Sequence, residues 1–167
     1  MKKAIIAYSF GLNYEDNPCN QRLARAVERI YREELAAGHE VRVCSQWEVA
    51  EGLKGRSPPS KVVERHRRAR EYLDSEEVTA QCAEVLRWAG EVIPVANSFL
   101  HVILCRRILR KRGFPAAGSP WSLMWRIGWI GFHWGNAQWQ VWSPFHMLLY
   151  FVLKALRWPD PSRTFFP

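Results

Sequence analysis

A chain of 167 residues fits one domain, and a domain of that size buries roughly 70% of the surface its unfolded chain exposes, enough for a core without staples. The longest apolar stretch, around Met147 to Leu153, is far below the roughly 20 residues needed to cross a bilayer. The run Ala4 to Ala7 behind Lys2 and Lys3 is too short for a signal peptide. These features point to a cytoplasmic protein with no integral membrane span. The formal charge of +8 permits an anionic ligand, a nucleic acid or an acidic membrane without choosing among them. Residues 1–53 hold seven basic and eight acidic side chains, and residues 54–112 hold thirteen and seven. Cys19, Cys44, Cys82 and Cys105 lack the two-residue spacing that zinc and redox sites favour, and they read as reduced thiols, two of them buried.

Taken in chain order, Lys3 to Ser9 is a short apolar run ending at Phe10-Gly11, the profile of a strand buried on both faces. From Asn20 to Ala37, Leu23, Val27, Ile30, Tyr31 and Leu35 recur at helical spacing, and Gly38 stands where a C-terminal cap belongs. Glu40 to Ser45 is the second strand, so residues 3–45 form a βαβ unit with parallel strands. Gly55, Pro58 and Pro59 break the chain. The basic stretch that follows, within an insertion over 54–73, reads as an exposed helix or ordered flap from Ser60 to Tyr72. Asp74 with Glu77 makes a capping box for a helix ending near Gly90. Glu91 to Ala96 is the third strand.

Ser98 is placed to cap a helix that buries Leu100, Ile103, Leu104 and Ile108, with Gly113 closing it. A tryptophan-rich segment over 119–142 follows, with Ile127 to Phe132 as a candidate fourth strand. Ser143-Pro144 opens the last helix, over about 143–158. The whole reads as one α/β domain, a Rossmann-like three-layer sandwich around a mainly parallel sheet.

In open α/β sheets, ligands gather where strand ends meet helix starts, because backbone amides and the helix dipole point there. Three such junctions supply one candidate site. At the first, beyond Ser9, Gly11 allows close backbone approach, and Asn20 and Arg22 are placed to hold a phosphate or carboxylate. The plainer alternative is that Asn20 caps the helix and Arg22 is solvated. At the second, Ser45 leads to Gln46, Trp47 and Glu48, a set suited to a base or ribose through hydrogen bonds and stacking. At the third, Asn97 and Ser98 leave the strand and His101 falls in the first helical turn, where it is either an acid or base or a structural residue. Arg106 lies about a turn and a half farther on. A glycine-rich dinucleotide fingerprint is absent.

Together these pieces resemble the YdcF-like proteins, the family that also includes SanA and ElyC. The resemblance covers about residues 3–115. It rests on Ala4-Ile5-Ile6-Ala7, Asn20-Gln21-Arg22-Leu23-Ala24, Ser45 with Glu48, the helix Ser75 to Gln81, and Val95 to His101 followed by Arg106. The family's glycine pair after the second strand is replaced here by Gln46-Trp47. The resemblance implies a Rossmann-like fold and a nucleotide-like or phosphate-bearing anionic ligand, for which an adenosine-containing molecule such as S-adenosylmethionine is one candidate. Glu48 and His101 are then the residues on which any catalysis depends. The alternative is a non-enzymatic binding module for a protein, a membrane surface or a nucleic acid, using the basic 54–70 region and the tryptophans. Nucleic acid is the weaker partner, since no reading helix, zinc module or aromatic RNA motif is present. Buried packing is the plainer role for the tryptophans.

Overall fold

Ala4 to Ala7 are wholly buried, apolar on both faces, because their strand lies inside a sheet covered by helices. In this computed structural model, which describes residues 1–11, 15–57, 59–64, 73–97, 100–134 and 143–156, that strand is β1 (Lys2–Ala7). It pairs in parallel with β2 (Glu40–Gln46) on one side and β4 (Glu91–Val95) on the other. β3 (Lys61–Val63) joins the far side of β2, also parallel, giving the order β3-β2-β1-β4. The three expected strands are therefore adjacent and parallel. The fourth strand lies at Lys61–Val63, and the expected one at Ile127 to Phe132 is not formed. Residues 60–64 accordingly do not start a helix; the rest of that flap, residues 65–72, lies outside the described residues.

α1 (Pro18–Ala36) crosses from β1 to β2 and buries Leu23, Val27 and Ile30. α1 packs beside α2 (Trp47–Glu51) and α6 (Pro120–Ile127), while α3 (Ser75–Gln81) packs beside α4 (Ala83–Trp88) and α5 (Leu100–Lys111). The sheet with its flanking helices is the expected three-layer α/β sandwich in one domain. α7 (Pro144–Ala155) closes the described chain. No helix among the described residues is long and apolar enough to cross a membrane.

Several local expectations are corrected. Asn17, not Asn20, caps α1: its side chain accepts from the amides of Cys19 and Asn20, with Pro18 at the first helical position. Asp74 does cap α3, accepting from the Glu77 amide at 2.7 Å. The helix it opens is divided at Cys82 into α3 and α4. Cys82 is disulfide-bonded to Cys44 of β2, so these two cysteines are not thiols. Cys19 and Cys105 are free and buried, and burial pushes the Cys19 thiol up to about 11. α5 buries Val102, Cys105, Ile108 and Leu109, whereas Ile103 is exposed. Val102, Cys105, Ile108 and Leu109 share one stripe, and Ile103 falls on the opposite side with the four basic residues of the helix. Burial also fails for the tryptophans: Trp121, Trp125, Trp129 and Trp134 are 62%, 86%, 71% and 67% exposed. α6 buries Leu123 and Ile127 in their place, and Trp139 and Trp142 lie outside the described residues.

Beside β4, the segment after α5 returns to the sheet. The Val92 amide donates to Pro115 O at 2.8 Å and Val92 O accepts from the Ala117 amide at 2.7 Å.

Candidate functional site

Past Ala7 the chain keeps one more sheet bond, from the Tyr8 amide to Val95 O at 2.9 Å, and then leaves β1. Its backbone groups must find other partners because they stay buried. The Ser9 amide donates to Gln46 Oε1 at 3.1 Å and the Phe10 amide to Asn20 Oδ1 at 2.8 Å. Asn17 Nδ2 donates to Phe10 O at 2.9 Å, and Asn20 Nδ2 to Gly11 O at 3.1 Å. Gly11 sits at φ 80°, where a glycine is favoured. Asn20 therefore anchors the loop from inside the first turn of α1. Ser45 is fully buried and its hydroxyl donates to Gln46 O at 3.0 Å.

Beside this anchored loop lie polar atoms with no partner among the described residues. Gln46 Nε2 and both carboxylate oxygens of Glu48 are buried without a hydrogen bond. Burial raises the Glu48 carboxyl to about 7, and the nearby Ser9 side chain and Glu48's own amide offset only part of that, without reaching hydrogen-bond geometry. Glu34, also largely hidden though less deeply, is treated in the opposite way. Burial works against its charge too, yet Lys3 at 2.9 Å and Arg126 at 2.6 Å hold its carboxyl below the ordinary value. A buried carboxylate serving structure is surrounded by cations, as Glu34 is. Glu48 has no such cation among the described residues, and that contrast sets it apart as a candidate.

His101 stands at the second position of α5, its ring 6.0 Å from that of Tyr8 and 6.1 Å from that of Phe10. Nε2 shares a hydrogen bond of 3.1 Å with Ser75 Oγ, while Nδ1 is buried without a partner. The Thr79 hydroxyl donates to Ser75 O at 2.7 Å and shares a 2.8 Å bond with the Tyr8 hydroxyl, tying α3 to β1. The residue as a whole keeps some surface, but burial of the ring lowers it to about 4, so the imidazole is neutral at physiological pH.

Residues 128–134 run over this edge as a strap. Arg22 Nη1 donates to Ile130 O at 2.7 Å, and Asn97 Nδ2 donates to Gly131 O at 2.8 Å. Phe132 meets Phe10 edge-on at 5.9 Å. Gly131 has φ +87°, and a Cβ there would fall 2.7 Å from Arg22 Nη1. Gly131→Ala should therefore destabilise the protein by about 1 to 2 kcal/mol, chiefly through backbone strain. A melting curve unchanged from the parent would show the strap to be loosely held. Arg22→Ala should lower stability as well, by about 1 to 2 kcal/mol, because it removes a charged donor from a strap carbonyl.

Ser9, Gln46 and Glu48 are thus brought together, with Ser45 beneath them and Gly11 and Asn20 building the adjacent loop. Trp47 is half-buried at the start of α2. Arg22 and Asn97 are engaged by the strap, although Arg22 is exposed and its fork has donors besides the one at Ile130. Arg106 points elsewhere, donating to Gly118 O at 2.9 Å. Ser98 lies outside the described residues. Sequence reasoning missed Ser75, Thr79 and Gly131. The first two read as ordinary residues of a capped helix, and only the Gly-x-x-Gly spacing of Gly128 and Gly131 hinted at the strap.

No family model and no curated protein matches this chain. Among the described residues no cluster of His, Cys, Asp and Glu is arranged to hold a metal ion.

Proposed function

We propose that this chain is a small-molecule-binding protein of YdcF-like type, whose site at the carboxyl edge of the sheet takes a nucleotide-like or phosphate-bearing anionic ligand. The observation that carries this reading is the pair of unpartnered side chains at the end of β2, Gln46 Nε2 and the Glu48 carboxyl. Buried polar groups are almost always hydrogen-bonded, so exceptions call for a partner outside the chain. At the corresponding strand end of doubly wound sheets, a side-chain carboxylate meets ribose hydroxyls. A base or ribose is thus the fragment best matched to Gln46 and Glu48, with an adenosine-containing ligand such as S-adenosylmethionine as the first candidate. Arg22, exposed on the first turn of α1 and reaching the strap, is the cation we assign to receive a phosphate or carboxylate.

If the protein turns its ligand over, Glu48 is the better acid or base. A group near 7 matches neutral conditions, whereas His101 near 4 is a weak base that stays uncharged. A cytoplasmic location belongs to the same proposal. The Cys44–Cys82 disulfide weighs against it, because such bonds persist chiefly in oxidising compartments. Fractionation with thiols trapped at lysis tests it.

The reading is tested by thermal shift with adenosine, AMP, ATP, S-adenosylmethionine and inorganic phosphate, on the parent and on Gln46→Leu. An adenosine-bearing ligand at about a hundred times its Kd should stabilise the parent by about 2.7 kcal/mol. The variant should lose most of that shift. Equal shifts in parent and variant would place the ligand elsewhere, and no shift with any of the five would defeat the nucleotide reading.

A further inference from the structure

The net charge has an uneven origin. From Val92 to Pro159 the chain contains eight Lys and Arg residues and not one Asp or Glu; the remaining sixteen basic residues are matched by sixteen acidic ones elsewhere. The whole surplus of +8 therefore belongs to one stretch. The same stretch carries the exposed apolar surface. Trp121 and Trp125 stand four residues apart on α6, on the side away from buried Leu123 and Ile127. Trp129 and Trp134 follow on the strap. On α7, Phe145, Leu148, Leu149, Val152 and Leu156 are exposed at spacings that place them along one helical face. Trp134 meets His146 edge-on at 5.4 Å, and His146 meets Phe145 at 5.9 Å, so the strap and the first turn of α7 form continuous surface.

Exposed apolar surface of this extent marks an interaction face. Its chemistry selects the partner. Tryptophan is the residue that favours the boundary between hydrocarbon and headgroups, where its ring is buried and its N–H remains hydrated. On α5, Arg107 and Arg110 are exposed and have no acidic partner among the described residues. A purely cationic, tryptophan-studded stretch is complementary to anionic lipid. α7, at 12 residues, is about 18 Å long, too short to cross a bilayer but suited to lie in its surface.

We propose that α6, the strap and α7 form a membrane-attachment face that seats the protein in the interface of an anionic bilayer. This assignment is independent of the ligand proposed for the sheet edge. The face holds the lipid through its indoles and the apolar side of α7, and the surplus arginines draw it to negative headgroups. Because the strap also meets Phe10, Arg22 and Asn97 at the carboxyl edge of the sheet, the attached face and the ligand edge share one segment.

The test is flotation of the full-length protein with vesicles of phosphatidylcholine alone and of phosphatidylcholine mixed with phosphatidylglycerol, with tryptophan emission recorded and brominated lipid as quencher. Binding to the anionic vesicles, with a blue shift and quenching, is expected. The double variant Trp121→Ser, Trp125→Ser should weaken it by roughly tenfold or more, since two large apolar rings leave the interface. Both positions are exposed, so melting should be almost unaffected, and a variant that fails to fold is replaced by Leu148→Ser, Val152→Ser. Arg107→Glu with Arg110→Glu should weaken anionic binding and reduce its salt dependence. Failure to float with either vesicle would overturn the proposal. So would binding with unshifted tryptophan emission, or a lipid-free dimer in which the same tryptophans are already shielded.

Discussion

Glu48→Gln should become more stable than the parent as pH rises, gaining about 3 kcal/mol between acid and mildly alkaline buffer. The Glu48 carboxyl ionises near 7 in the folded protein against an ordinary value of 4.5. Between those limits the native state holds a proton that the unfolded chain has released, so stability is full below the lower value and is lost as pH rises through the upper one. A shift of this size corresponds to roughly 3 kcal/mol at about 1.4 kcal/mol per unit. His101 runs the other way. It titrates near 4 when folded against 6.5 when not, so its contribution is present above 6.5 and is lost as pH falls towards 4. The two windows overlap, and their slopes oppose one another. The parent should therefore show a nearly level stability profile through mildly acid pH. Glu48→Gln should expose a profile that climbs with pH, and His101→Asn one that declines. Urea midpoints across a pH series measure all three. A Glu48→Gln profile parallel to the parent's would mean that water reaches the carboxylate in the folded state. The same pair of variants separates catalysis from structure, because a His101→Asn protein with normal turnover would leave Glu48 as the only acid-base candidate.

Replacing both Cys44 and Cys82 with alanine should lower stability by about 4 kcal/mol, the loop-closure entropy of a cross-link spanning 38 residues. In melting temperature that is about 8 to 16 °C for a domain of this size. Alanine is the right replacement because both positions are fully buried, and a serine hydroxyl there would add a desolvation cost. Melting with and without reductant gives the control: the parent should drop towards the variant, and the variant should not move. A parent insensitive to reductant, with two additional thiols titratable after unfolding, would show that the pair is not joined.

The parts of the fold that were legible in the sequence are those written in local periodicity. β1, α1 and β2 follow from an apolar run, a helical stripe and a second run, each decided within about twenty residues. β3 was hidden because three residues, Lys61–Val63, are too few to show any period, and the basic stretch after them suggested a helix. The disulfide was hidden for another reason: Cys44 and Cys82 meet only because β2 and the α3–α4 turn pack together. At the candidate site, the strand ends pointed to Ser9, Gln46 and Glu48, which the fold brings together, since polar residues closing an apolar run have little to do in a core. They did not reveal that Asn20 and Asn97 satisfy the protein's own backbone. A side chain that binds a ligand and one that holds a loop leave the same mark in a sequence. Burial with a missing partner, as at Glu48, is what makes a side chain a candidate for the first role.

Val92 directs both its N–H and its C=O away from β1, towards Pro115 and Ala117. Backbone direction alternates along a strand, so Pro94, two residues on, faces the same open side, where its ring offers no donor at all. The opposite border of the sheet is only the three residues of β3. Among the described residues neither margin presents a long run of free amides on which another molecule could template a strand, which guards these edges against edge-to-edge aggregation. Pro94→Val would restore a donor on the open margin, and slower clearing of light scatter in concentrated samples of that variant would reveal what the proline prevents.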